Sequence, residues 1–143
     1  MFEQASNSTH KFGYDAYDEF IRGFELGEDA YKATCVCDQF HIGSMQDARR
    51  AAYIYLSSSA NLLDGENKAK LENAAGIYKK MFDNLTEAMP YEKTTPIFND
   101  NIIYSKPVWN EEQRRAVVRA LKENKELEKQ VRVIVSEIIS DMD

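Results

Sequence analysis

Apolar residues recur along this chain at the period of an α-helix, and the last third carries the clearest run. Val117, Leu121, Leu127, Val131, Ile134 and Ile138 fall on one stripe in a segment with no Gly or Pro. Asn110 stands where the N-cap of that helix belongs, and Gln113 follows three residues later, the spacing of a reciprocal capping box. A stripe of this length must bury itself against another apolar face, so it predicts helix-on-helix packing.

The rest of the chain reads in the same way. Tyr14, Tyr17, Ile21 and Phe24, with Phe20 beside them, predict a short amphipathic helix from Gly13, with Gly27 as its stop. Residues 28–43 fit either a strand or a helix. A lone strand has nothing to pair with, so a helix ending at Gly43 is expected. Ser44 then caps a new helix whose apolar face is Ala48, Ala51, Ala52, Tyr55, Leu56, Leu62 and Leu63. Asp64-Gly65 is a turn. The next helix, from about Glu66 to Met89, turns Leu71, Ala74, Ala75, Ile77, Tyr78, Met81, Phe82 and Leu85 inward, and the short connection makes the two helices antiparallel. Pro90 ends it, and residues 90–109 form a long loop containing Pro96 and Pro107. The expected fold is all-α, a bundle of four or five helices with a long C-terminal helix. Residues 1–12 form a flexible lead-in, and 13–143 a single helical domain.

Composition narrows the function. The chain has 143 residues, one domain's worth, with a net charge of −6. Most of the acidic excess lies in residues 1–43. An acidic chain repels phosphate backbones, so no nucleic-acid partner is expected. No apolar stretch approaches the roughly 20 residues of a membrane span, and no apolar signal core is visible at the N-terminus, so neither a membrane nor an export route is expected. Cys35 and Cys37 are one residue apart, too close for an unstrained disulfide. A reduced, cytoplasmic setting follows.

Candidate chemistry is sparse. Cys35, Cys37, Asp38 and His41 are the residue types that ligate zinc, but the Cys-x-Cys spacing is wrong for a knuckle and no second ligand pair follows. Cys35, Cys37 and His41 are therefore weak candidates, and no metal or cofactor is expected. The same residues supply the types of a Cys–His nucleophile pair, with no cationic cluster or helix N-terminus to lower the thiol pKa. Asp38-x-x-His41 is half of a di-iron ligand motif, which two histidines in all cannot complete. Glu128 lies on the apolar seam of the last helix together with Asn124. It either pairs with Arg132 at the edge or bonds to a tyrosine hydroxyl beside a small polar cavity. Glu128, Tyr78 and Tyr55 are on that basis the candidate ligand-binding residues. Ile102, Tyr104 and Trp109, apolar residues in the long loop, are candidates for contact with a partner.

Four segments carry a family resemblance. Gly13-Tyr14-Asp15-Ala16-Tyr17-Asp18-Glu19-Phe20-Ile21, Ala48-Arg49-Arg50-Ala51-Ala52-Tyr53-Ile54-Tyr55-Leu56, Ala74-Ala75-Gly76-Ile77-Tyr78 and Asn124-Lys125-Glu126-Leu127-Glu128-Lys129 resemble, in order and spacing, the helical C-terminal region of butirosin-biosynthesis H-like proteins. The resemblance implies a helical module separated from the N-terminal cysteine-peptidase-like domain that supplies the acyl-transfer nucleophile in that family. Neither Cys35 nor Cys37 sits in a matching motif, so no catalytic residue carries over. The function expected is a non-catalytic helical module for protein interaction or self-association. The alternatives are an accessory part of a cysteine-dependent acyltransferase or peptidase-like enzyme, and a small-ligand-binding helical protein.

Overall fold

The computed structural model describes residues 13–26, 35–89 and 110–142, with side chains described from residue 41 in the second segment and up to 141 in the third. Four α-helices account for almost all of these residues: α1 Gly13–Glu25, α2 Cys35–Ala60, α3 Gly65–Ala88 and α4 Glu111–Met142. The fold is an all-α bundle with a long C-terminal helix, as the periodicity predicts. Residues 1–12, 27–34 and the 90–109 loop, with Ile102, Tyr104 and Trp109, lie outside the described residues, as do the side chains of Cys35 and Cys37.

The helices start and stop for local reasons. Asn110 and Gln113 form the predicted capping box: the Gln113 backbone N–H donates to Asn110 Oδ1 at 2.9 Å, and the Asn110 backbone N–H donates to Gln113 Oε1 at 3.1 Å. This satisfies two of the amides left without partners at the start of α4. Between α2 and α3, Gly65 takes φ +60°, a conformation that costs glycine little, and Asp64 occupies the N-cap position in an extended conformation.

One boundary differs from expectation. Gly43-Ser44 is not a break; α2 runs straight through it as one 26-residue helix. A glycine stops a helix when it turns left-handed, and Gly43 does not; it is buried in the helix interior. The inward face of α2 differs as well. Ile42, Gly43, Gln46 and Ala60 are buried and Ala52, Leu56 and Leu63 are half-buried, whereas Ala48, Ala51, Tyr55 and Leu62 point outward.

The packing order is α2 against α3, α3 against α4, and α4 against α1. Ion pairs fix the directions. Lys70 reaches Asp141 and Lys80 reaches Glu123, so α3 and α4 are antiparallel; Asp18 meets Lys125 and Glu25 meets Lys122, so α1 descends along α4. Phe20 of α1 lies edge-on to His41 of α2, closing the ring. The main core sits inside this ring: Ile21 and Phe24, Ile42, Leu85 and Met89, and Val117, Ala120 and Leu121. Ala74, Ala75, Met81, Leu127, Val131 and Ile138 are also buried, on α3 and α4. Among the described residues, two polar side chains are fully buried with them. Gln46 donates to the Met89 carbonyl at 2.8 Å, and Asn124 donates to the Met81 carbonyl at 2.9 Å while accepting from Asn84 at 3.0 Å. No described helix is long and apolar enough to cross a membrane.

Candidate functional site

At the level of Glu128 each helix sends one polar side chain inward: Tyr17 from α1, Arg49 from α2, Tyr78 from α3 and Glu128 from α4. Arg49 Nη2 donates to Glu128 Oε2 and to the Tyr17 hydroxyl, both at 2.6 Å. Tyr17 donates to Glu128 Oε2 and Tyr78 to Glu128 Oε1, each at a longer 3.3 Å. The ion pair is largely withdrawn from water, with side-chain exposures of 16% for Arg49 and 13% for Glu128. The carboxylate therefore receives three donors from three helices, which is how a charge tolerates burial.

The electrostatics follow from this geometry. Burial, reinforced by Glu128 and opposed by Arg49, pushes the Tyr17 hydroxyl up to about 12. Burial and Glu128 do the same to Tyr78, also to about 12. Burial works against the Arg49 charge, but Tyr17 and Glu128 overcome it and hold the guanidinium above its ordinary value. A tyrosine acting as a base or nucleophile near neutral pH needs its pKa lowered. Both of these move the other way and remain hydrogen-bond donors. Among the described residues, Arg49 Nε is buried without a hydrogen-bond partner.

Of the residues singled out from the sequence, Glu128 and Tyr78 meet directly. Tyr55 does not join them; it is 70% exposed on the outer face of α2. His41 is exposed on α2 beside Phe20, and no group of three potential metal ligands assembles among the described residues. Arg49 and Tyr17 were not read as site residues from the sequence. Arg49 sits in a helix whose periodicity points the wrong face inward, so no local pattern marks it as a buried partner.

No family model matches the chain, and no curated protein or solved structure matches it. The surface itself therefore carries the functional argument.

Among the described residues, many surface charges are paired with one another. Lys70 bonds to Glu66 and Asp141, beside a shallow depression of about 590 Å³ that Tyr14, Lys129 and Arg132 also line. Arg115 pairs with Glu111, Lys129 with Glu126 and Lys79 with Asp83. The second half of α2 differs. From Ala51 to Asn61 it carries no charged residue. Ala51, Tyr55 and Ser58 are exposed there along one outward stripe that starts at Ala48, beside the exposed Asp47, and continues to Leu62 past the helix end, with Ile54 on its flank. Tyr55 is 70% exposed and Leu62, on the turn that closes the helix, 85%.

Proposed function

We propose that this chain is a non-catalytic helical interaction module whose binding face is the outer stripe of α2, and that its partner is the uncharged apolar face of another protein helix. The supporting observation is that Ala51, Tyr55 and Leu62 are exposed on the side of α2 opposite Ile42, Gln46 and Ala60, which, among the described residues, is the side buried in the bundle. Single exposed apolar residues are ordinary, but a stripe of about three turns, from Ala51 to Leu62, with no charged residue is the pattern of a helix that receives a second helix. The small residues Ala48, Ala51 and Ser58 favour close approach, and Tyr55 and Leu62 supply the large contact area. The network around Glu128 supports the non-catalytic part of the reading: its carboxylate and both tyrosine hydroxyls are bonded within the network, and its tyrosines are shifted away from reactivity.

The test is a titration of the isotope-labelled protein with a synthetic amphipathic helix bearing an Ala/Leu face, followed by NMR. Amide shifts concentrated in residues 48–62, and lost in Leu62→Glu, are expected. Shifts that map to another face, or none at millimolar peptide, overturn the proposal.

A further inference from the structure

The seat of α1 is a groove between α2 and α4, and we infer that α1 is a displaceable strap across it. The groove's second occupant is an acidic amphipathic helix of another protein, with aromatic and aliphatic anchors spaced as Tyr17, Ile21 and Phe24 are. This site lies on the inward side of α2 and stands independently of the outer stripe.

α1 lies in its seat as a ligand helix lies in a groove. Its anchors fall at i, i+4 and i+7, and Phe20 fills the flank against Phe24 and His41. The cluster they join includes Ile42 and Met45 of α2 and Val117, Val118 and Leu121 of α4. Lys122, Lys125 and Lys129 form a basic rim on α4. α1 places Glu25 on Lys122 at 2.7 Å, Asp18 on Lys125 at 2.6 Å, and the ring of Tyr14 beneath Lys129, which also bonds to Glu126. Asp15, Asp18, Glu19 and Glu25 of α1 stand against the single Arg22, so the rim meets an acidic helix and charge selects another of the same sign.

Three features make α1 the element that leaves. Its fully buried side chains are Ile21 and Phe24, whereas α4 buries a stripe from Val117 to Ile138. Asp18 and Glu25 pair at the exposed surface, where ion pairs hold weakly. Departure of α1 also strands no charge. It contributes only the neutral Tyr17 hydroxyl to the network, while Arg49 of α2 and Tyr78 of α3 keep their bonds to Glu128. Arg49 Nε, buried without a hydrogen-bond partner among the described residues, gains one when water enters beside it.

Native-state hydrogen exchange of the unmodified chain, read by NMR, tests the strap. Amides of α1 are expected to exchange at least tenfold faster than those of Leu85, Leu121 and Leu127, through an opening with a smaller denaturant dependence than global unfolding. Exchange of α1 in step with that core overturns the strap.

A synthetic peptide of residues 13–26, blocked at both ends, tests the partner chemistry. Ile21→Ala/Phe24→Ala loosens the strap, so that chain is expected to bind the peptide at least tenfold tighter than the unmodified one, with amide shifts around Ile42, Met45 and Leu121. A peptide carrying Asp18→Lys and Glu25→Lys should bind at least tenfold more weakly; equal binding overturns the acidic partner. Adding Leu62→Glu in the outer stripe should leave the affinity unchanged, and loss of binding there would assign the peptide to that stripe and overturn this site. A double variant that loses α2–α4 along with α1, or a peptide that binds both chains equally or neither, also overturns the inference.

Discussion

Arg49 and Glu128, 79 residues apart in sequence, meet at 2.6 Å in the interior of the bundle and tie α2 to the helix it faces across the core. Between these two helices, α3 packs against both on one side, and α1 packs on α4 and meets α2 through Phe20 and Tyr17 on the other. The pair therefore acts as a cross-brace. Its two flanking tyrosines extend the brace to all four helices, so a shift of any one along its axis breaks a hydrogen bond at this level.

Removing one member leaves the other charged, buried and unpaired, which costs about 3–5 kcal/mol in comparable sites. Glu128→Leu is expected to lower stability by about that amount, and Arg49→Met by a similar one. The double substitution Arg49→Met/Glu128→Leu should recover much of the loss, because no uncompensated charge remains. Urea unfolding of the four chains gives the coupling energy directly. Additive losses would mean that the two side chains act independently and the brace does not exist.

Stability should fall between pH 10 and 12. Tyr17 and Tyr78 are held up to about 12 in the folded chain, against about 10 when unfolded. Below pH 10 both states keep their protons and the contribution is fully present. Above it the unfolded chain ionises first, so the folded state loses ground until pH passes about 12. The double variant Tyr17→Phe/Tyr78→Phe isolates the tyrosine share: its denaturation midpoint should decline less steeply. Absorbance at 295 nm offers a second check: the late ionisation of Tyr17 and Tyr78 should be missing from the double variant.

The cap at the start of α4 is separable from the rest. Asn110→Ala removes the acceptor for the Gln113 amide and should cost about 1 kcal/mol; Gln113→Ala, which loses the weaker return bond, should cost less. Thermal unfolding resolves this difference, and an order reversed between the two would contradict the geometry.

How legible the fold was depended on how each helix uses charge. In α4 the inward stripe is flanked by Arg, Lys and Glu, so periodicity gives a single direction, and Val117, Leu121, Leu127, Val131 and Ile138 are buried as expected. In α2 no charge marks an outward side between Ala51 and Asn61, and a pattern apolar in several directions cannot choose among them. The choice is made elsewhere, by Gln46 reaching the end of α3 and Arg49 reaching Glu128. Gly43 misled for a related reason: glycine is a stop only when the chain turns left-handed after it. Within the polar network, a carboxylate on an apolar seam left two readings open, an edge pair with Arg132 or a bond to a tyrosine, and the structure has the second. Arg49 was not legible, because nothing local distinguishes a buried arginine from its exposed neighbour Arg50.

Asn124 supplies the most discriminating test of the buried polar positions. Its amide donates to the Met81 carbonyl and its oxygen accepts from Asn84, with no exposure to water. Asn124→Ala loses both bonds and leaves a void, a cost of about 2–3 kcal/mol. Asn124→Asp keeps the shape but replaces the donor with a second acceptor, so an ionised carboxylate would face the Met81 carbonyl oxygen. The buried carboxyl then resists ionisation and its folded pKa rises above the unfolded value. Such a group is harmless below the unfolded pKa and destabilising as pH climbs through the folded one. Asn124→Asp should therefore be far less stable than the parent at pH 7, and the gap should narrow as pH falls toward about 4, where the protonated acid again donates to Met81. A gap that stays constant with pH would mean that the side chain at 124 is reached by water and that its bond to Met81 does not form.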